Sequence, residues 1–157
     1  MKYKYTSIAL AIFAATTACA APLEFPNLGF AIAPLDTSTS NPPAQALMMF
    51  LPAKDGFAPN VNVMIQPYPG PMADYIALTK KQFEQIKVKV LTEKSLSDKE
   101  WTCEYSGDFQ GGPQLHWYAR AILSSGKVYL VTATTKDSSW NEDSKILKAC
   151  VDSLSIK

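Results

Sequence analysis

Histidine is nearly absent: the chain of 157 residues holds one, His116. A lone imidazole with no second ligand in its neighbourhood does not suggest a zinc centre. Cysteine is scarce too, three in all, and no two stand in Cys-x-x-Cys spacing, so a redox motif of that type is excluded. There is no Gly-x-Ser-x-Gly elbow and no glycine-rich phosphate loop. The acidic residues lack the spacing of a calcium-binding EF-hand loop. Neither sign of charge dominates, with 15 basic and 14 acidic residues, so the footprint of a nucleic-acid binder is missing. No apolar run reaches the roughly 20 residues of a transmembrane helix, and the chain has no internal repeat. No cofactor is expected.

What is present begins with a leader. Lys2 and Lys4 precede an apolar run from Ile8 to Ala15, followed by Thr16, Thr17, Ala18, Cys19 and Ala20. A positive start, a short hydrophobic stretch and an Ala-x-Ala site make a secretory signal peptide over residues 1–20. Ala21 would then begin a single domain over 21–157. Cys19 has a second reading as a lipidated cysteine, although Thr16 stands where a lipobox carries an aliphatic residue. Lipidation there would turn a periplasmic protein into an anchored one. Without the leader's two lysines, 13 basic residues face 14 acidic ones, a net charge of −1.

Periodicity divides the rest. Leu28 to Leu35 reads as a first strand, Ala46 to Leu51 as a short apolar strand covered on both faces, and Asn60 to Gln66 as an alternating strand. Pro67 to Pro71 breaks the sheet. Met72, Tyr75, Ile76, Thr79, Phe83 and Ile86 then recur at helical spacing. A strand from Ile86 follows, then one carrying Trp101, Cys103 and Tyr105 on one face, then a hairpin of Leu115–Leu123 and Lys127–Thr135 around Ser124-Ser125-Gly126. Ser139 and Glu142 have capping-box spacing at the start of a last amphipathic helix. The order is βββ-α-ββββ-α, an α+β fold with a largely antiparallel sheet and helices packed on it.

Several residues stand out as candidates. Cys103 and Cys150 remain once the leader is gone, and both lie on apolar faces. In an exported chain such a pair reads as a disulfide closing about 47 residues, worth roughly 4 kcal/mol. Two buried thiols are the alternative. Tyr68 and Tyr75 flank a proline-rich turn, where aromatics dock a peptide or sugar, or simply pack a connector. His116, Tyr118 and Arg120 share one strand face. It would meet an acidic or aromatic partner if open, or a helix if covered. A Cys103–His116 nucleophilic pair is opposed by strand parity. The carboxylate pairs Asp98 with Glu100, and Glu142 with Asp143, read as turn and helix-start residues.

The stretch LHWYARAIL, SSG, KVYLVTATT, then KDSSWNEDSK and ILKACVDSLSI, resembles the C-terminal half of the PsbP-like fold. That fold is shared by the photosystem PsbP subunit, the Ran-binding Mog family and the bacterial envelope protein DcrB. The resemblance implies a PsbP-like sandwich and a protein that docks onto other proteins rather than an enzyme. With a leader at its N-terminus, an envelope role with an envelope protein as partner is the closest analogy. A small-ligand carrier or enzyme using a cleft between sheet and helix is the alternative. The oligomeric state is left open.

Overall fold

The computed structural model of the chain describes residues 22–26, 29–32, 44–108 and 111–157. The expected leader with Cys19, and the expected loop over 36–43, lie outside them. The chain divides into two compact units, 1–39 and 40–157.

Among the described residues, the first unit contains one small antiparallel pair. Strand β1 (Leu23–Phe25) pairs with β2 (Phe30–Ile32), with Gly29 at φ 73 in the turn between them. β2 lies inside the expected first strand, and β1 is an addition.

The second unit is one six-stranded sheet with a helix on each face. Its strands are β3 (Ala44–Phe50), β4 (Asn60–Pro67), β5 (Lys89–Ser97), β6 (Glu100–Asp108), β7 (Gln114–Ser124) and β8 (Lys127–Lys136). They run in the order β3-β4-β8-β7-β6-β5, antiparallel throughout. β7 and β8 are joined by a two-residue turn, Ser125 at φ 50 and Gly126 at φ 70. Positive φ at both positions is the type I′ geometry whose twist matches a hairpin.

Side chains alternate across the sheet and build two cores. Helix α1 (Met72–Gln85) lies over Trp101, Cys103, Ala121 and Val128, and contributes Met72 and Tyr75 to them. Helix α2 (Trp140–Asp152) lies over Val61, Val131 and Ala133 on the other face, contributing Trp140, Leu147 and Val151. The fold class and the order of elements are those expected, with β1 added.

Four local expectations need correction. ALMMFL was expected to be central, yet β3 is an edge strand and every residue of it is exposed. Continuous apolarity reads as two covered faces, but here it marks an apolar edge. The strand after α1 begins at Lys89, not Ile86, because α1 ends in a Schellman motif. The Val88 amide donates to the Phe83 carbonyl (3.0 Å), the Lys87 amide to that of Glu84 (3.2 Å), and Lys87 takes φ 57 where glycine is usual. The capping box does not form: Ser139 precedes α2 but makes no side-chain cap. Asp143, in the first turn, instead accepts from the buried Thr135 hydroxyl at 2.8 Å, and Glu142 binds Lys54 at 2.5 Å.

The fourth correction is the disulfide. Cys103 and Cys150 are free thiols. Cys103 faces α1, whereas Cys150 sits on α2 and packs against the opposite core. The sheet itself separates them, so no rotamer closes the bridge. Cys103 is 1% exposed, and burial, reinforced by the charge of Glu93, pushes its thiol up to about 12. In unreduced native protein, maleimide should therefore modify Cys150 well before Cys103, and both should react after denaturation. Mass spectrometry that found both protected after denaturation would restore the disulfide.

Candidate functional site

The sheet has two edges of opposite character. β5 carries Lys89, Glu93 and Lys94, and Lys80 of α1 reaches Glu93 at 2.6 Å. Charges on an edge discourage further strand pairing. β3 reads AQALMMF, with no charge and no proline over seven residues. Its partner is β4, and among the described residues its outer edge has none.

The register assigns the β3 side chains to faces. Leu47 opposes Val63 and Met49 opposes Val61, both valines of the α2 core, so Leu47 and Met49 face α2. Met48 and Phe50 oppose Asn62 and Asn60 and face the other way. Leu47 is 47% exposed and Phe50 61%. Beside Leu47 and Met49 a groove runs between β3 and α2. Its two adjoining hollows, about 210 and 240 Å³, share Met49, Val61 and Cys150, and Ile146 and Leu154 form its far wall. An unbranched Met and a free thiol make such a wall adaptable to different apolar shapes.

Tyr68 and Tyr75 come together at a second place. Their rings meet edge to face at 5.3 Å, and the Tyr75 hydroxyl donates to Gln66 Oε1 at 3.0 Å. The Tyr68 ring folds across Gly70, where a Cβ would come within 3.1 Å of it. The Tyr68 amide donates to the Gly126 carbonyl at 2.8 Å, tying the proline-rich turn to the β7–β8 hairpin. Together these rings wall one end of a cleft under α1.

Of the two readings of the face carrying His116, Tyr118 and Arg120, cover by a helix is the one found, and the helix is α2. The Tyr118 hydroxyl donates to Asp152 Oδ1 at 3.0 Å. Arg120 Nη1 donates to the carbonyls of Asp152 and Leu154, at 2.7 and 3.1 Å, while its Nε binds Glu100 at 2.7 Å. His116 is buried and stacks on the Trp140 indole at 3.9 Å. Its Nδ1 lies 2.8 Å from Asp137 Oδ1 and its Nε2 lies 2.9 Å from Glu104 Oε1. Ionised carboxylates only accept, so both bonds form together when both ring nitrogens carry hydrogen. Glu104 also accepts from Trp140 Nε1 at 2.9 Å and from Lys148 Nζ at 2.6 Å. Burial pushes the Glu104 carboxyl up, but the bonds from Lys148 and His116 outweigh it and hold it below the ordinary value. This network spends its polar atoms on seating α2. Cys103 and His116 lie on opposite faces of the sheet, which rules out their pairing as nucleophile and base.

Sequence reasoning missed the β3 edge and the Glu104 network. The signal for the first was present, as a seven-residue segment lacking charge; the signal for the second was only a Glu104 flanked by Cys103 and Tyr105 in β6. Among the described residues no helix is long and apolar enough to cross a membrane, and no cluster of three or more acidic, histidine or cysteine side chains could hold a metal ion.

No curated protein matches the chain. Among solved structures it is similar to PA94 of Pseudomonas aeruginosa, a protein of unknown function, at 15% identity. The match has a TM-score of 0.61 and covers 87% of this chain and 96% of that one. It is also similar to the cyanobacterial PsbP (CyanoP) of Synechocystis sp. PCC 6803, at 14% identity and a TM-score of 0.48, covering 70% and 82%. The family model of PsbP matches residues 62–156, from within β4 to beyond α2. That match spans more than half of the sequence and contains both helices that frame the groove and the cleft, so the chain belongs to the PsbP family.

Proposed function

We propose that this is a non-enzymatic accessory protein of the bacterial cell envelope. It docks, through the β3 edge and its groove, onto an uncharged, apolar, extended segment of a partner protein. The observation that carries this reading is the contrast between the two edges. β5 is defended by Lys89, Glu93 and Lys94, while β3 presents only Gln45 among apolar side chains. An undefended edge is a template for an added strand, whose backbone supplies affinity and whose alternate side chains supply selectivity. Side chains on one face of that strand would lie beside Leu47 and Met49, within reach of the groove walled by Ile146. A charged segment would lose its hydration there with no opposite charge to replace it, so the partner segment is neutral.

The leader supports export, with 21–157 as the mature domain and the periplasm as its compartment. Cys19 is the point at which lipidation would anchor it. Membership in the PsbP family supports docking over catalysis. His116, the side chain best suited to acid–base work, is held between Asp137 and Glu104 beneath α2.

The test is site-specific photocrosslinking in the source cells, with the photoreactive residue placed at Met48, Phe50 or, as control, Lys94. The expected result is a defined adduct with one envelope protein from Met48 and Phe50 and none from Lys94. The crosslinked peptide should be apolar and uncharged. A self-adduct would replace the partner by a second copy of this chain. Equal labelling from both edges, or none from β3, would overturn the docking edge.

A further inference from the structure

Independently of the β3 edge, we propose that the cleft between α1 and the sheet binds a small uncharged aromatic molecule carrying a polar substituent, of the size and chemistry of a phenol.

The size comes from the cleft, about 260 Å³. An apolar cavity of about 150 Å³ accepts benzene, so this one has room for a ring and its substituents and little more. The depth comes from sequence. On the α1 face, β7 sets Ala119 opposite Thr132, with Trp101 and Tyr105 standing on the neighbouring strand. A small residue between large ones leaves a hollow that α1 bridges with Leu78 and Phe83 rather than fills.

The ring class comes from the walls. Tyr105 stacks on Trp117 at 5.1 Å and tilts against Phe83 at 4.5 Å, while Tyr68 meets Tyr75 edge to face. Such faces and edges favour another aromatic ring over a flexible aliphatic chain. The neutrality comes from the lining, which contains no acidic or basic side chain. A charge placed there would lack a counterpart.

The polar substituent comes from two polar atoms of the cleft lining that bond to no described protein group and stay open to solvent. Gln66 uses its carbonyl oxygen to accept from Tyr75, and its amide nitrogen has no hydrogen-bond partner among the described residues. The Tyr105 hydroxyl has none either, although burial pushes its titration well up and keeps it a neutral donor. Burial likewise lifts Tyr75, to about 12. Gln66 Nε2 only donates and the Tyr105 hydroxyl donates or accepts, so one ligand hydroxyl that accepts from Gln66 and shares a bond with Tyr105 would satisfy both, in the pattern of an apolar pocket with a few placed polar atoms.

The experiment is a two-dimensional NMR titration of the purified protein with p-cresol, with benzoate and glucose as comparison probes. Saturable shifts are expected at Gln66, Tyr75, Ala119 and Leu130, with a dissociation constant of about 1 mM or tighter. Benzoate, the charged counterpart, should bind at least about tenfold more weakly, and glucose not measurably. Tyr105→Phe removes only the hydroxyl and should weaken p-cresol several-fold without lowering the melting temperature. Ala119→Leu, if folded by the same spectrum, should abolish the shifts. Shifts that scatter over the surface without saturating would overturn the site. So would unchanged affinity in Tyr105→Phe, or tighter binding of benzoate or glucose.

Discussion

Glu104→Ala is expected to destabilise the protein by about 3 kcal/mol, measured by urea denaturation. Glu104 is the point where three donors from two elements, β7 and α2, meet. Its removal strips a partner from His116 Nε2, from Trp140 Nε1 and from Lys148 Nζ at once. The first two are buried and have nowhere to turn, and each orphaned donor carries its desolvation cost. Lys148, with a third of its side chain exposed, can swing to water, which places the loss at the lower end for a broken buried ion pair. The loss has a pH signature. The folded carboxyl titrates below its ordinary value, so the folded state binds that proton less readily than the unfolded chain does. The stabilisation is complete above the unfolded value and disappears as pH falls through the lowered folded one. Glu104→Ala should therefore differ most from the natural protein near neutrality and converge with it in acid. A constant difference down to acid pH would show that packing, not charge, is what Glu104 supplies.

Trp101→Ala should cost at least as much, about 3–5 kcal/mol. The indole is 2% exposed and packs with Met72, Tyr75, Cys103, Ala121 and Val128 beneath α1. Collapse into the vacated volume is hindered on both sides. The backbone of residue 101 is held in register between Ser95 of β5 and Ala121 of β7. The helix that shares this core is α1, through Met72 and Tyr75, so amide exchange should quicken in α1 before it quickens in α2. Glu104 and Trp101 project to opposite faces of one strand. The milder pair Glu104→Gln and Trp101→Phe should therefore add to within about 0.5 kcal/mol in the double variant. Uniform exchange through both helices, or strong non-additivity, would show one cooperative core where two are described.

Much of this architecture was legible from periodicity. The parity of Trp101, Cys103 and Tyr105 picked out one buried face of β6, and the Met72-to-Phe83 spacing picked out α1, because both patterns record burial on a single side. What escaped needed the third dimension. Parity places Cys103 on a face but says nothing of which helix covers it, and α2 crosses the other one. The same gap hid the fate of His116, Tyr118 and Arg120: their shared face was visible, its cover was not. β3 misled for a different reason. An apolar run signals burial in general, and an edge awaiting a partner has the same composition as a strand between two neighbours. Lys87 misled because a left-handed helix end is usually announced by glycine. Tyr68 and Tyr75 stand out in sequence through their proline-rich turn, whereas Tyr105 and Gln66, which line the same cleft, are ordinary members of strands.

The strand order also sets a timetable for synthesis. β5 to β8 form a meander in which each strand pairs with its successor, so those contacts become available as the chain emerges. β4 is different: apart from β3, its neighbour is β8, paired from Asn60 with Thr134 to Pro67 with Lys127. Until the last quarter of the chain exists, β3 and β4 are an isolated hairpin, and two strands alone are marginal in water. The apolar ribbon AQALMMF is thus among the first segments made and the last secured. During that interval the ribbon is open to whatever binds an apolar, unpaired strand.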